Sequence, residues 1–148
     1  GWCSDWQILT NAGGGRLYDA WEPGEMEPEQ CANRPHYEGV GIRTGILKLH
    51  PLTRTEPAVM RYVGEIPPDA GRLVVEACGN VHGDCLLQCA AGGEVVGEYV
   101  LDGNDWRSCE FELPSRLSRN AQIELIVKGG GDNDWYYEHC FVDRIEFR

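Results

Sequence analysis

The chain has no CxxC pair, no apolar run near the roughly 20 residues a membrane helix needs, and few basic residues. The first gap leaves a structural zinc site of the paired-cysteine type without support. The second excludes a membrane-spanning helix, and no basic-then-apolar segment opens the chain, so the expectation is a soluble module, mature or excised from a longer protein. The third matters for partners. Thirteen Lys and Arg face 24 Asp and Glu, a net charge of -11, so phosphate backbones and anionic lipid headgroups meet like charge. Nucleic acid and membranes are therefore not expected partners. Also missing are the GxSxG elbow, the HExxH zinc motif and the Gly-rich phosphate loop ending in Lys-Ser or Lys-Thr. Their absence speaks against several hydrolase and nucleotide chemistries. It speaks less against glycoside cleavage, which needs only two suitably spaced carboxylates and leaves no motif.

What is present fits one globular domain over 1–148: 42% hydrophobic residues and enough Trp, Tyr, Leu and Val for one core. Residues 1–37 carry Trp2, Trp6, Trp21, a Gly-Gly-Gly run and the acidic EPGEMEPEQC without sustained periodicity, and are read as a loop-rich N-terminal part. From 38 to 148 the text turns into short runs of Val, Ile, Leu and Tyr separated by Gly, Pro, Asn and Asp. That spacing predicts an all-β, antiparallel sandwich with strands near 40–49, 58–66, 72–78, 85–91, 94–100, 108–113, 121–127 and 140–147. In AQIELIVK, Ile123, Leu125 and Val127 share one face. In HCFVDRIEF the alternation puts Asp143 among Phe141, Ile145 and Phe147, so either the strand twists out there or something pairs with the carboxylate.

Seven cysteines point to an oxidising, secreted or periplasmic setting, with at least one thiol left over. Cys85 and Cys89, about 13 Å apart along a strand at roughly 3.3 Å per residue, cannot bridge each other. Cys78 with Cys85 is the nearest hairpin pairing, yet their side chains fall on opposite faces, and Cys3 with Cys31 is a second option. Burial as small hydrophobes is the other reading of Cys85, Cys89 and Cys109.

In an antiparallel sandwich successive connections alternate between the two ends. Counting back from the C-terminus, loops 128–139, 101–107 and 79–84 fall at the same end. They carry Asn-Asp-Trp twice, in DGNDW and GGGDNDWYYEHC. Trp135, Tyr136, Asp132, Asp134, Trp106, Asp105, His82 and Asp84 are thereby gathered on one rim, beside Asn104 and Asn133. Flat aromatic faces among convergent donors and acceptors are what a sugar ring requires. The competing reading makes Trp106 and Trp135 plugs of the core and the Asn-Asp-Gly clusters ordinary turns. A second candidate surface is a sheet face bearing Arg61, Glu76, Gln88, Glu110 and Glu124, with Tyr62 or Tyr99 as platform. His36, His50, His82 and His139 are each read first as surface or hydrogen-bonded histidines.

The succession HPLTRTEPAVMRYVGEIPPDAGRLVVEACGNVHGDCLLQCAAGGEVV, NDWRSCEFELP, the aromatic triplet and FVDRIEF resembles the galactose-binding-domain-like β-sandwich modules, especially the NPCBM-like group appended to secreted carbohydrate-active enzymes. The resemblance implies a jelly roll that binds a polysaccharide or oligosaccharide without cleaving it, next to the catalytic domains of a larger extracellular protein. It also implies a structural calcium ion held by an acid near the end of the last strand, by position Asp143, whose shell of oxygens would need a second acid such as Glu38. A protein-binding or adhesion module of the same fold, and a small glycan-cleaving enzyme, are the alternatives.

Overall fold

The computed structural model describes residues 5–12, 47–80, 83–103, 105–131, 135 and 138–148. Its strands arise where apolar side chains alternate. In Ile123–Gly129, Ile123, Leu125 and Val127 are fully buried while Glu124 and Ile126 are half-exposed, because successive side chains of an extended chain point to opposite faces. Nine strands form in this way among the described residues, with no helix: β1 (Trp6–Thr10), β2 (Leu47–Leu49), β3 (Ala58–Tyr62), β4 (Arg72–Cys78), β5 (Asp84–Ala91), β6 (Glu94–Asp102), β7 (Arg107–Glu112), β8 (Ile123–Gly129) and β9 (Cys140–Phe147). They pair antiparallel throughout, in a five-stranded sheet of order β1-β3-β8-β5-β6 and a four-stranded sheet of order β2-β9-β4-β7.

One apolar core lies between the two sheets. Met60, Leu87, Leu101 and Leu125 enter it from the first sheet, and Leu47, Leu73, Val75 and Phe111 from the second. The Gly92-Gly93 pair turns β5 into β6 with φ of 60° and 87°, the two left-handed residues that a tight hairpin matching the strand twist demands.

The all-β sandwich expected from the sequence is the fold found, with three local differences. Trp6–Thr10 forms an edge strand on β3 that the sequence analysis did not assign; its alternation spans only five residues, with Trp6 buried and Ile8 packed on the core. Strand β3 ends at Tyr62 rather than 66, and Ile66 is buried beyond it while its N–H donates to Arg119 O at 2.9 Å. Asp143 does not share a core face with its neighbours. The β4–β9 register jumps from Glu76↔Arg144 to Ala77↔Val142, leaving Asp143 the extra residue of a bulge. Cys140 and Val142 therefore face the core before it, and Ile145 and Phe147 after it, so the strand changes phase instead of burying a lone carboxylate.

Candidate functional site

Strand register brings three chain reversals to one end of the sandwich. Asp84 at the start of β5 lies opposite Asp102 at the end of β6, and Cys85 lies opposite Gly129 at the end of β8. The Gly103 N–H donates to Gly83 O at 3.5 Å, and a Cβ on Gly79 would overlap Leu101 O, so the 79–84 and 101–106 connections touch backbone to backbone. The convergence expected from counting strand ends is thus present among the described residues.

The glycines of 129–131 are explained by two carboxylates. Glu138 Oε2 accepts the Gly130 N–H at 3.1 Å and Asp84 Oδ2 accepts the Gly131 N–H at 3.2 Å. A Cβ on Gly130 would overlap the Asp84 carboxylate, and one on Gly129 would press at 3.2 Å on the Trp135 ring. Asp84 and Glu138 are both buried, so they hold the loop's backbone.

Rings line the same end. Trp135 is half-buried and meets His50 edge-on, with centroids 5.5 Å apart and planes at 78°. His139 lies 4.8 Å from His50 and 5.8 Å from the buried Phe141. His50 arrives because β2 pairs with β9, Leu49 opposite Cys140. Asn11 fixes it there: Oδ1 accepts the His50 N–H at 2.9 Å, Nδ2 donates to Lys48 O at 3.3 Å, and the Ala12 N–H donates to His50 O at 3.0 Å. The chain following β1 of one sheet is in this way stapled to the end of β2 in the other. His50 Nδ1 is 2.6 Å from Pro51 O, and since a carbonyl only accepts, Nδ1 carries the proton and Nε2 is the acceptor. Burial holds the His50 pKa below its ordinary value, and Lys48 pushes the same way, against the Pro51 hydrogen bond.

Of the residues expected on the rim, Trp135 and Trp106 are half-buried, Asp105 is exposed, and Asp84 is turned into the glycine loop. Neither tryptophan belongs to the fully buried core cluster. Tyr136, Asp132, Asp134 and His82 lie outside the described residues, as do Asn104 and Asn133. His50 and His139, read from the sequence as surface or hydrogen-bonded histidines, join the rim here, and no sequence signal singled out Glu138 or Asn11. Carrying the count of strand ends two connections further back places the 50–57 connection on this rim, and that would have found His50.

The alternative sheet-face surface does not hold together. Arg61 and Glu124 form a 3.1 Å ion pair on the outer face of the five-stranded sheet, where Gln88 donates to Glu98 at 2.9 Å. Glu76 and Glu110 belong to the other sheet. Tyr62 packs against Trp6 and Phe147 at 5.3 and 4.9 Å, and Tyr99 packs edge-on against Phe111, with its hydroxyl donating to Glu110 O and accepting the Glu110 N–H, both at 3.0 Å. Both tyrosines lean on the core instead of forming a platform.

For calcium, the described residues offer no group of three or more His, Cys, Asp or Glu, and Glu38 lies outside them. Asp143 is half-buried at the bulge. The five described cysteines, Cys78, Cys85, Cys89, Cys109 and Cys140, are all buried thiols. The Cys78–Cys85 pairing is accordingly absent, because Cys78 points away from the core that Cys85 enters. Cys3 and Cys31 lie outside the described residues.

No protein-family model matches the chain, and no curated protein resembles it in sequence. Solved structures do resemble it in fold. The CBM51-2 and INT domains of Clostridium perfringens ZmpB, in complex with GlcNAc, superpose with a TM-score of 0.52 at 12% identity over 97% of this chain, which spans 27% of that one. The C-terminal domain of EclA, a sugar-binding protein, gives 0.54 at 9% identity over 70% of this chain and 76% of its own. The CBM51 of Clostridium perfringens GH95, in complex with methyl-galactose, gives 0.50 at 11% identity over 94% and 86%. At such identities the likeness is one of fold: the chain shares the β-sandwich architecture of these sugar-binding domains.

Proposed function

We propose that the protein is a non-catalytic carbohydrate-binding module that takes a glycan end at the loop rim and tethers a secreted carbohydrate-active protein to it. The observation that carries this reading is the half-buried ring cluster of Trp135, His50 and His139, set where three chain reversals meet. A partly exposed indole offers an apolar plane to the C–H face of a sugar, and His50 Nε2 offers an acceptor to a hydroxyl. Trp106 and the exposed Asp105 extend the rim. Tyr136, Asp132, Asp134 and His82 complete the proposed contact set from the same loops. The fold supports the reading, because the GlcNAc-bound CBM51-2, the methyl-galactose-bound CBM51 and the sugar-binding EclA domain share it.

A glycan array on the isolated chain, paired with a reducing-sugar assay on every glycan retained, tests it. Retention without release is the expected outcome. Release would make the protein a glycan-cleaving enzyme, and silence on all glycans would leave a protein-binding role for the same fold. A calcium ion bound through Asp143 and Glu38 is a separate part of the proposal. It requires a melting temperature that rises with added calcium and falls with chelator, since a ligand bound only by the folded state must stabilise it.

A further inference from the structure

Each sheet ends in a bare strand on the same side of the sandwich. Among the described residues β6 has only β5 beside it, and β7 has only β4. Such an edge presents a row of unpaired N–H and C=O groups, which is a template for another strand. Here the two edges fill each other. Tyr99 of β6 reaches across to β7, where its hydroxyl donates to Glu110 O and accepts the Glu110 N–H, both at 3.0 Å. Arg107 of β7 reaches back: its guanidinium donates to Val100 O at 2.9 Å and lies 5.5 Å from the centre of the Tyr99 ring.

The ladders identify these as the outward groups. In an antiparallel pair a residue turns its N–H and C=O together, either toward its neighbour or away from it. Glu110 stands opposite Val74 of β4 and gives both groups to Tyr99, so it turns away from β4. Val100 stands opposite Leu86 of β5 and sends its C=O to Arg107, so it turns away from β5. By the period of two, Glu98 and Asp102 share the outward setting of Val100. The apolar side chains of β6 add to the hazard of an open edge, because Val95 and Val100 are 54% and 50% exposed, more than any other large hydrophobic residue described.

We propose that Tyr99 and Arg107 form an edge clasp that keeps β6 from pairing with β6 of a second copy of this chain. A second copy is the partner the open edge fits, because it brings the same row of donors and acceptors. An antiparallel match about a twofold axis, with Val100 opposite Val100, satisfies both rows and brings the two valines together. That match also sets Glu98 opposite Asp102 twice, and like charges facing each other across a ladder repel. The carboxylates are therefore a second guard, and one that salt screens. The clasp sets no charge against a charge, so it is the guard that salt leaves in place.

The test is the mass of the full chain in solution, by light scattering, for wild type, Tyr99→Phe, Arg107→Gln and the double variant, each with a thermal melt. Tyr99→Phe keeps the ring that packs 5.4 Å from Phe111 and loses only the hydroxyl, while Arg107 is exposed, so the sandwich is expected to persist. At about 1 M sodium chloride, where the Debye length is about 3 Å, the double variant is expected to climb from the mass of one chain to that of two as its concentration rises. Wild type is expected to stay at one. Adding Val100→Pro removes an outward N–H and leaves the β5 ladder alone, and is expected to return the double variant to one chain. A folded double variant that stays single at every concentration overturns the proposal. So does pairing that survives Val100→Pro, or a wild type that pairs as the variant does. Should the double variant lose its cooperative melt, the two single variants decide by the same readout.

Discussion

Gly131 donates its backbone N–H to Asp84 Oδ2 at 3.2 Å, tying the loop that leaves β8 to the first residue of β5. One residue earlier, Gly130 gives its N–H to Glu138 and lies so close to Asp84 that a Cβ would overlap the carboxylate. Gly130→Ala is therefore expected to lower stability by about 2 kcal/mol, the scale of forced overpacking. Gly131→Ala, with nothing within 4 Å of its added methyl, is expected to cost about 0.5 kcal/mol or less. Urea denaturation of both variants checks the contrast, and equal losses would show that the clash at Gly130 relaxes freely.

Much of this site was legible because strand periodicity and end-counting need only local signals. Ile123, Leu125 and Val127 announce a half-buried strand, and once strands are placed, antiparallel connection dictates which loops share an end. What stayed hidden depended on register. Phase in β9 changes at Asp143 because one residue is inserted against β4, and a period-2 pattern cannot reveal a bulge in its partner's ladder. Likewise Tyr62 and Tyr99 have strand positions compatible with either face, and their packing against Phe147 and Phe111 is a tertiary outcome. Glu138 and Asp84 read as generic loop acids until Gly130 and Gly131 are found donating to them.

Trp135→Ala is expected to weaken glycan binding by about 1 to 3 kcal/mol, the loss of a packed aromatic anchor. The ring meets His50 and Gly129 but is only half-buried, so the fold should persist. Isothermal titration with an array-identified glycan, beside a thermal melt, separates the two effects. Normal binding by a folded variant would remove Trp135 from the site, and unfolding would reassign it to the core.

The His50 pKa is depressed mainly by burial, which sets the sign of a pH effect. With its folded pKa below the unfolded value of 6.5, the neutral ring's contribution is fully present above pH 6.5. As pH falls through 6.5 and below, the unfolded chain takes up a proton that the folded chain resists, and stability drops. Among the described residues, Lys48 acts on the ring by its charge and His139 packs against it. His50→Gln should therefore show a flatter melting-temperature profile between pH 7 and 5 than wild type. Parallel profiles would mean that His50 titrates alike in both states.

Burial pushes the thiols of Cys89 and Cys109 up to about 12. At pH 8 about one molecule in ten thousand then carries the thiolate that reacts with iodoacetamide. Brief labelling of native protein, followed by peptide mapping, is expected to leave both residues unmodified, whereas labelling in denaturant modifies both. Native-state modification at either position would show that the core opens on the labelling timescale.

Dependence of affinity on ligand length separates the rim from the sheet faces. An extended glycan along a sheet face would need an exposed ring and unengaged polar groups. The outer face of the five-stranded sheet instead presents Arg61 paired with Glu124 and Gln88 bound to Glu98, while Tyr62 and Tyr99 pack toward the core. Breaking those pairs to admit a sugar offsets the hydrogen bonds gained. At the rim, Trp135, His50 and His139 cluster within about one sugar's width at the meeting of three loops, which suits a chain end or short branch enclosed on several sides. Affinity measured against oligosaccharides of increasing length is therefore expected to saturate at one or two units. A steady gain up to five or six units would place the ligand along a sheet face and remove the rim from the binding surface.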